Sequence, residues 1–294
     1  MHSVFTRQQL WLLVILTLIW GNNWPMLKLG VTNYEALTFR LISMLIGVPL
    51  LGLVLYLRGI SFRVPRSEWR ELAVLAFFNM LLWHALIIFA VKDLSSGRAG
   101  IIGYTMPVFS AVFGYVWYGT RLHRLGWIGL LFAGIGVTLL LWHELESISG
   151  KPFGVALGLL AACSWGIGTQ LTRHTRMSVS MLTLGFWSTV LCSIWMFAFA
   201  VWLEPFPWRE PNAVTWTAIL YNAIGVFVFA QTLWLVLARN LPPLASTLSV
   251  MFIPVLGVFS GAFWLDEVLH WQDLAAIVLI VMAIAAVLWP SQRS

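Results

Sequence analysis

Ten apolar runs divide the chain, at residues 10–29, 34–57, 72–91, 98–118, 125–142, 153–172, 179–203, 213–236, 242–264 and 271–289. A membrane-spanning helix needs about 20 such residues. In hydrocarbon only helices and closed barrels satisfy their own backbone groups. The expected fold is therefore an all-α integral membrane protein with ten transmembrane helices. Polar positions concentrate in short connections, which leaves no separate soluble domain to bind nucleotide or carry catalysis.

The pattern repeats. Shifted by 147 residues, half the length, Leu94 falls on Leu241, Pro107 and Val108 on Pro254 and Val255, Gly114 on Gly261, Trp117 on Trp264, and Leu141 and Trp142 on Leu288 and Trp289. Five runs fall in each half, so residues 1–147 and 148–294 form two five-helix units. An odd number of spans makes the second unit enter the membrane from the opposite face, and the repeats are expected to be inverted. His123 and His270 match in sequence yet fall in connections on opposite sides. Inverted repeats place a site near the midplane and let it open alternately to each side.

Composition agrees with a bilayer as solvent, since 60% of residues are hydrophobic and 10% charged. Charge then sets orientation, because Lys and Arg stay cytoplasmic during insertion. With the N-terminus inside, the inner segments hold Arg7, Arg58, Arg63, Arg66, Arg70, Arg121, Arg124, Arg173, Arg176, Arg239 and Arg293, eleven of the seventeen basic residues. The outer segments hold most of the acids, among them Glu35, Glu204, Glu267 and Asp273. Both termini are expected in the cytoplasm, and the net charge of +6 follows from topology and needs no nucleic-acid partner. The first run, preceded by only His2 and Arg7 and followed by no small-residue cleavage pattern, reads as a retained helix. Cys163 and Cys192 both lie in apolar runs, which argues against a disulfide framework or a thiol metal site.

Several chemistries lack their residues. No glycine-rich loop ends in Lys-Ser or Lys-Thr, and the only lysines are Lys28, Lys92 and Lys151. The nearest approach to a metal motif, His143-Glu144-Leu-Glu146, lacks the second histidine of a zinc helix. No ring-forming polar filter of a channel is evident. The chain is expected to be no enzyme, with no cofactor, metal or catalytic residue.

Polar groups inside spans are costly and usually face a cavity or another helix. Asn22, Asn23 and Trp24 sit between Gly21, which allows close approach, and Pro25, which removes a backbone donor. Freed carbonyls and Asn amides there suit an ammonium group, or the asparagines bond a neighbouring helix beside a kink. Asn79 and Trp83 are one turn apart on one helix face, next to His84. His84 shifted by 147 lands on Gln231, placing two polar groups in corresponding helices. Trp83, Trp165, Trp187 and Trp234 offer faces for aromatic stacking, and Tyr104 joins these candidates. Arg40 lies below the outer end of its helix. It either snorkels outward towards Glu35 or offers its planar fork to a substrate carboxylate. Its counterpart in the second half is Trp187, so its role belongs to one half only. Pro107 and Pro254, with Gly103 and Gly257 nearby, read with Gly21 and Pro25 as hinge or kink points.

These residues resemble the drug/metabolite transporter superfamily, specifically its ten-helix EamA-type members. The resemblance rests on Trp20-Gly21 and Trp165-Gly166, Phe39-Arg40, Pro107 and Pro254, and Trp264-Leu-Asp-Glu267. It spans the chain, although Gly119-Thr120 stands where the second half keeps Asp266-Glu267. Within the superfamily the chain looks most like bacterial aromatic amino acid exporters. The resemblance implies a multi-pass protein of the bacterial inner membrane that exports Phe, Tyr, Trp and related solutes by alternating access. A same-fold exporter of drugs, other metabolites or aliphatic amino acids is the alternative. A cation carrier calls for a buried acid and a phosphate-ester carrier for several midplane bases, neither of which is present. The expected partners are a small-molecule solute and the lipid bilayer, with a monomer as the simplest assembly. Every Asp and Glu maps to a connection or a helix end, so facilitated diffusion and proton coupling through His84 remain as energy sources.

Overall fold

A computed structural model describes residues 7–120, 124–146, 150–206, 208–233 and 243–288, and among them every regular element is helical. The helices are α1 (Arg7–Thr32), α2 (Ala36–Leu57), α3 (Arg66–Asp93), α4 (Ser96–Tyr118), α5 (Arg124–Glu146), α6 (Pro152–His174), α7 (Met181–Leu203), α8 (Ala213–Leu233), α9 (Pro243–Leu265) and α10 (Trp271–Leu288). Eight of the described helices, α1 to α8, are long and apolar enough to cross a membrane, and Met251–Leu265 and Trp271–Ala286 add two shorter apolar stretches. Trp234, His123, Leu241, Trp289, Arg121, Arg239, Arg293 and the junction between the two expected five-helix units lie outside the described residues.

Short polar side chains start several helices by binding the free amides of the first turn. Ser95 accepts from the Arg98 amide at 3.3 Å, Ser180 from that of Thr183 at 3.0 Å, and Asn212 from that of Thr215 at 2.8 Å. Large apolar side chains then face outward, with Trp202 79% and Phe263 77% exposed. In water such a surface is a liability; in lipid it costs nothing.

Two helices depart from α geometry at matching places. α3 passes through a π stretch at Phe77–Leu82 and α8 through one at Tyr221–Ala230. Adding 147 to 77 and 82 gives 224 and 229, inside the second stretch. α4 is interrupted after Ser96–Gly103 and resumes at Met106–Tyr118 with Pro107 in its first turn. The Thr105 hydroxyl donates to the Ile102 carbonyl at 2.7 Å across that break. α1 and α9 run through Pro25 and Pro254 without interruption.

α1 packs on α9 and α8, α6 on α4 and α3, α2 on α7 and α8, α3 on α7, α4 on α9, and α5 on α10. Exchanging the first five helices for the last five converts this set of pairs into itself.

Polar ties close the two ends differently. At one end, Glu204 accepts from the amides of Leu37 and Thr38 at 2.7 and 2.8 Å and from the Thr38 hydroxyl at 2.7 Å, capping α2. Glu267 caps α4 likewise, accepting from the Ser96 amide and hydroxyl at 2.6 and 2.9 Å and the Gly97 amide at 3.2 Å. Carboxylates suit these positions because the helix dipole places partial positive charge there. Lys28 donates to the carbonyls of Val91, Lys92 and Leu94 at 3.0, 2.9 and 2.7 Å, the opposite pole of α3. Arg98 pairs with Asp273 at 2.6 Å, and Arg209 with Glu35 at 2.7 Å. Burial, with Glu35 and Glu204 nearby, holds the Tyr34 phenol above its ordinary range. At the other end, Glu68 accepts from the Ser178 amide and hydroxyl at 3.1 and 2.7 Å, and Thr183 donates to the Ser61 carbonyl at 2.7 Å. Glu71 accepts from the Thr175 hydroxyl.

Candidate functional site

Between α1, α2, α3, α4, α6 and α8 lies a cavity of about 120 Å³. Aromatic rings form much of its wall. Trp83 of α3 meets Trp165 of α6 edge to face, centroids 5.1 Å apart at 61°, and Trp24 of α1 meets Tyr104 at 6.1 Å and 65°. Tyr104 occupies the interruption of α4. Glycines make room for Trp24: a Cβ on Gly103 of α4 or Gly257 of α9 would fall 2.8 Å from its ring. Those two glycines exist to admit an indole.

The polar part of the lining is sparse and incompletely bonded. Arg40 of α2 is 1% exposed and donates from Nη1 to Oδ1 of Asn222 at 2.9 Å. Its guanidinium carbon lies 5.8 Å from the centroid of Phe227. Its Nε has no hydrogen-bond partner. His84 of α3, 8% exposed, sits edge-on to Phe227 at 5.3 Å and 62°, and its Nδ1 is also unpartnered. The Oδ1 of Asn23 on α1 is a third buried polar atom without a partner. Desolvating a guanidinium costs several kcal/mol, whereas one charged-to-neutral hydrogen bond returns about 1.5–3 kcal/mol. The Asn222 contact alone does not balance the burial of Arg40.

Of the two alternatives for Arg40, outward snorkelling towards Glu35 is not the one adopted. Glu35 bonds Arg209 through Oε1 at the helix end, while Arg40 turns inward to Asn222. Asn23, Trp24, Arg40, Trp83, His84, Tyr104, Trp165 and Gln231 line the cavity together. Asn22 does not: it donates to the Leu18 carbonyl at 2.9 Å and accepts from the Trp264 indole at 3.0 Å, joining α1 to α9. Asn79 donates to the Thr172 hydroxyl at 3.1 Å, joining α3 to α6. Trp187 donates to the Phe62 carbonyl at 2.8 Å and stacks edge-on to Trp69 at 5.0 Å, near the end of α7. These three side chains therefore join elements and leave the cavity lining to others. Gly21 lies against Leu256, where an added Cβ would come within 2.6 Å, so it sets the α1–α9 spacing.

Trp20, Leu27, Met80, Ile87, Met106, Val226 and Phe227 complete the lining, and Asn222 lies behind Arg40; none of these is among the candidates the sequence marks. Asn222 was findable as a polar residue in an apolar run, the signal that singled out Asn79. The apolar ones carry no such mark. Among the described residues no three His, Cys, Asp or Glu side chains gather as a metal-holding group. The cavity can hold an amphipathic solute, with a donor fork at one point, acceptors at another and rings around the rest.

Residues 8–142 and 152–289 each match the EamA-like transporter family. An uncharacterized transporter of Bacillus subtilis, YvbV, is 29% identical over 94% of this chain and 90% of its own length. The uncharacterized inner membrane transporter YedA of Escherichia coli is 24% identical, covering 94% and 89%. A probable amino-acid metabolite efflux pump of Escherichia coli is 26% identical, covering 92% and 91%. A solved crystal structure shares the fold with a TM-score of 0.64 at 16% identity, over 95% of this chain and 96% of that one. With matches across both halves and apolar helices throughout, the chain is a multi-pass membrane protein that belongs to the EamA-like transporter family.

Proposed function

We propose that the protein exports amino acids, aromatic ones foremost, by alternating access at the cavity holding Arg40, His84 and Asn23. The observation that carries this reading is the set of unpartnered polar atoms inside an aromatic wall. The Arg40 Nε is a donor suited to a carboxylate, the Asn23 Oδ1 an acceptor suited to an ammonium group, and Trp83 and Trp165 offer edges and faces to a ring. The likeness to a probable amino-acid metabolite efflux pump points the same way.

The chain sits in the inner membrane as ten spans in two inverted units, 1–147 and 148–294. The exchange symmetry of the helix pairs and the two π stretches, the first of which falls inside the second when shifted by half the chain, support that arrangement. The arginine-rich end, with both termini, faces the cytoplasm, and the end capped by Glu204 and Glu267 faces outward. Pro107, Pro254, Gly21 and Pro25 are the points about which the helices reshape.

Counterflow in liposomes tests the substrate: radiolabelled Phe, Trp, Thr and Met are compared with a quaternary ammonium drug. Exchange of Phe and Trp in preference to Thr is expected. Failure of the aromatic amino acids to exchange or compete overturns the assignment.

A further inference from the structure

His143 closes the last turn of α5, where the sequence His143-Glu144-Leu-Glu146 lacks the second histidine of a zinc helix. The fold supplies one from elsewhere. His270, immediately before α10, places its ring centroid 4.6 Å from that of His143, the planes inclined at 40°. The two residues come from opposite halves of the chain and meet where α5 packs along α10.

We propose that His143 and His270 bind a divalent transition-metal ion at this end of the bundle. A metal lies about 2.0–2.1 Å from each imidazole nitrogen, so two rings sharing one ion have centroids roughly 4.5–5.5 Å apart. The observed separation falls in that range before any ion arrives. His270 is exposed and its backbone is fixed: its amide donates to Asp273 Oδ2 at 2.9 Å, and Asp273 is held by the buried Arg98 at 2.6 Å. A ligand anchored in this way gives up little freedom on binding. Imidazole pairs select Zn²⁺, Ni²⁺ and Cu²⁺ over the oxygen-seeking Mg²⁺ and Ca²⁺. The two imidazoles are the ligands of the proposed ion. The bound ion ties the end of α5 to the start of α10.

The test uses the full chain in detergent without a polyhistidine tag. Equilibrium dialysis against radioactive zinc is expected to show a saturable site on the wild type that magnesium does not displace and nickel does. Partners outside the first coordination sphere are already worth about 10–100-fold in metal affinity, so His143→Gln and His270→Gln should each weaken zinc binding at least roughly tenfold. Zinc should raise the thermal midpoint of the wild type and of neither variant, each compared with its own metal-free midpoint. Zinc retained equally by both variants, or no saturable zinc on the wild type, overturns the proposal.

Discussion

Arg40 and Asn222 meet across the α2–α8 packing, Nη1 donating to Oδ1 at 2.9 Å, with both side chains buried. Asn222 in turn anchors itself through Nδ2 to the Ala218 carbonyl at 3.0 Å. A fixed amide thus aims a guanidinium that no carboxylate among the described residues pairs with.

Replacing Arg40 should therefore remove substrate grip more than it removes fold. A hydrogen bond to a charged group is worth about 1.5–3 kcal/mol, so Arg40→Ala should raise the half-saturating Phe concentration roughly ten- to a hundredfold. Arg40→Lys keeps the charge and loses the fork, and should fall between. Asn222→Asp supplies an internal counter-ion and should abolish amino-acid exchange while leaving the thermal midpoint unchanged or higher. Liposome exchange read beside thermal unfolding separates these outcomes; unaltered transport in all three variants would count against a substrate role for Arg40.

Gly257→Ala should push Trp24 out of its seat, because the new methyl falls 2.8 Å from the indole. Overpacking of this kind costs about 1–3 kcal/mol. The variant should melt earlier and exchange Phe more slowly, and adding Trp24→Phe should restore much of the stability. A double-mutant cycle in thermal unfolding measures that coupling.

Glu267→Gln should loosen the start of α4. The carboxylate accepts from two amides and a hydroxyl, and a glutamine turns an NH₂ towards donors. A loss of about 1–3 kcal/mol is expected, with faster hydrogen exchange at Ser96 and Gly97 as the local readout.

His84→Gln addresses energy coupling. If the imidazole relays protons, an imposed pH gradient should drive accumulation of Phe in wild-type vesicles and not in the variant. Facilitated diffusion gives no gradient-driven accumulation in either. Strong accumulation that survives the substitution excludes the relay.

The helices were legible because a bilayer dictates their length: the apolar runs 34–57 and 179–203 start within two residues of α2 and α7 and end with them. Half of the cavity was legible for a related reason. A polar residue in hydrocarbon must have a use, and Asn23, Arg40, His84 and Gln231 all turned inward. The same rule cannot tell a cavity from a neighbouring helix, so Asn22, which joins α1 to α9, and Asn79, which joins α3 to α6, carry the same mark. Met80, Met106 and Phe227 were invisible because an apolar side chain in an apolar run looks alike whether it meets lipid, core or solute. The contact of His143 with His270 depends on tertiary packing between the last turn of α5 and the residue before α10, about which spacing along the chain says nothing.

The first π stretch was equally silent in sequence, since Phe77–Leu82 contains neither proline nor glycine, while the second holds only the single Gly225. A π turn carries more residues than the 3.6 of an α turn, so each of α3 and α8 is longer in chain than its span requires. That surplus is slack. Moving it one position along the helix turns the side chains it passes by about 100° while both helix ends keep their places. Met80 lies inside one stretch, with Trp83 and His84 directly after it; Val226 and Phe227 lie inside the other, with Gln231 directly after it. The walls of the cavity are thus mounted on helices that can be re-indexed without being unwound.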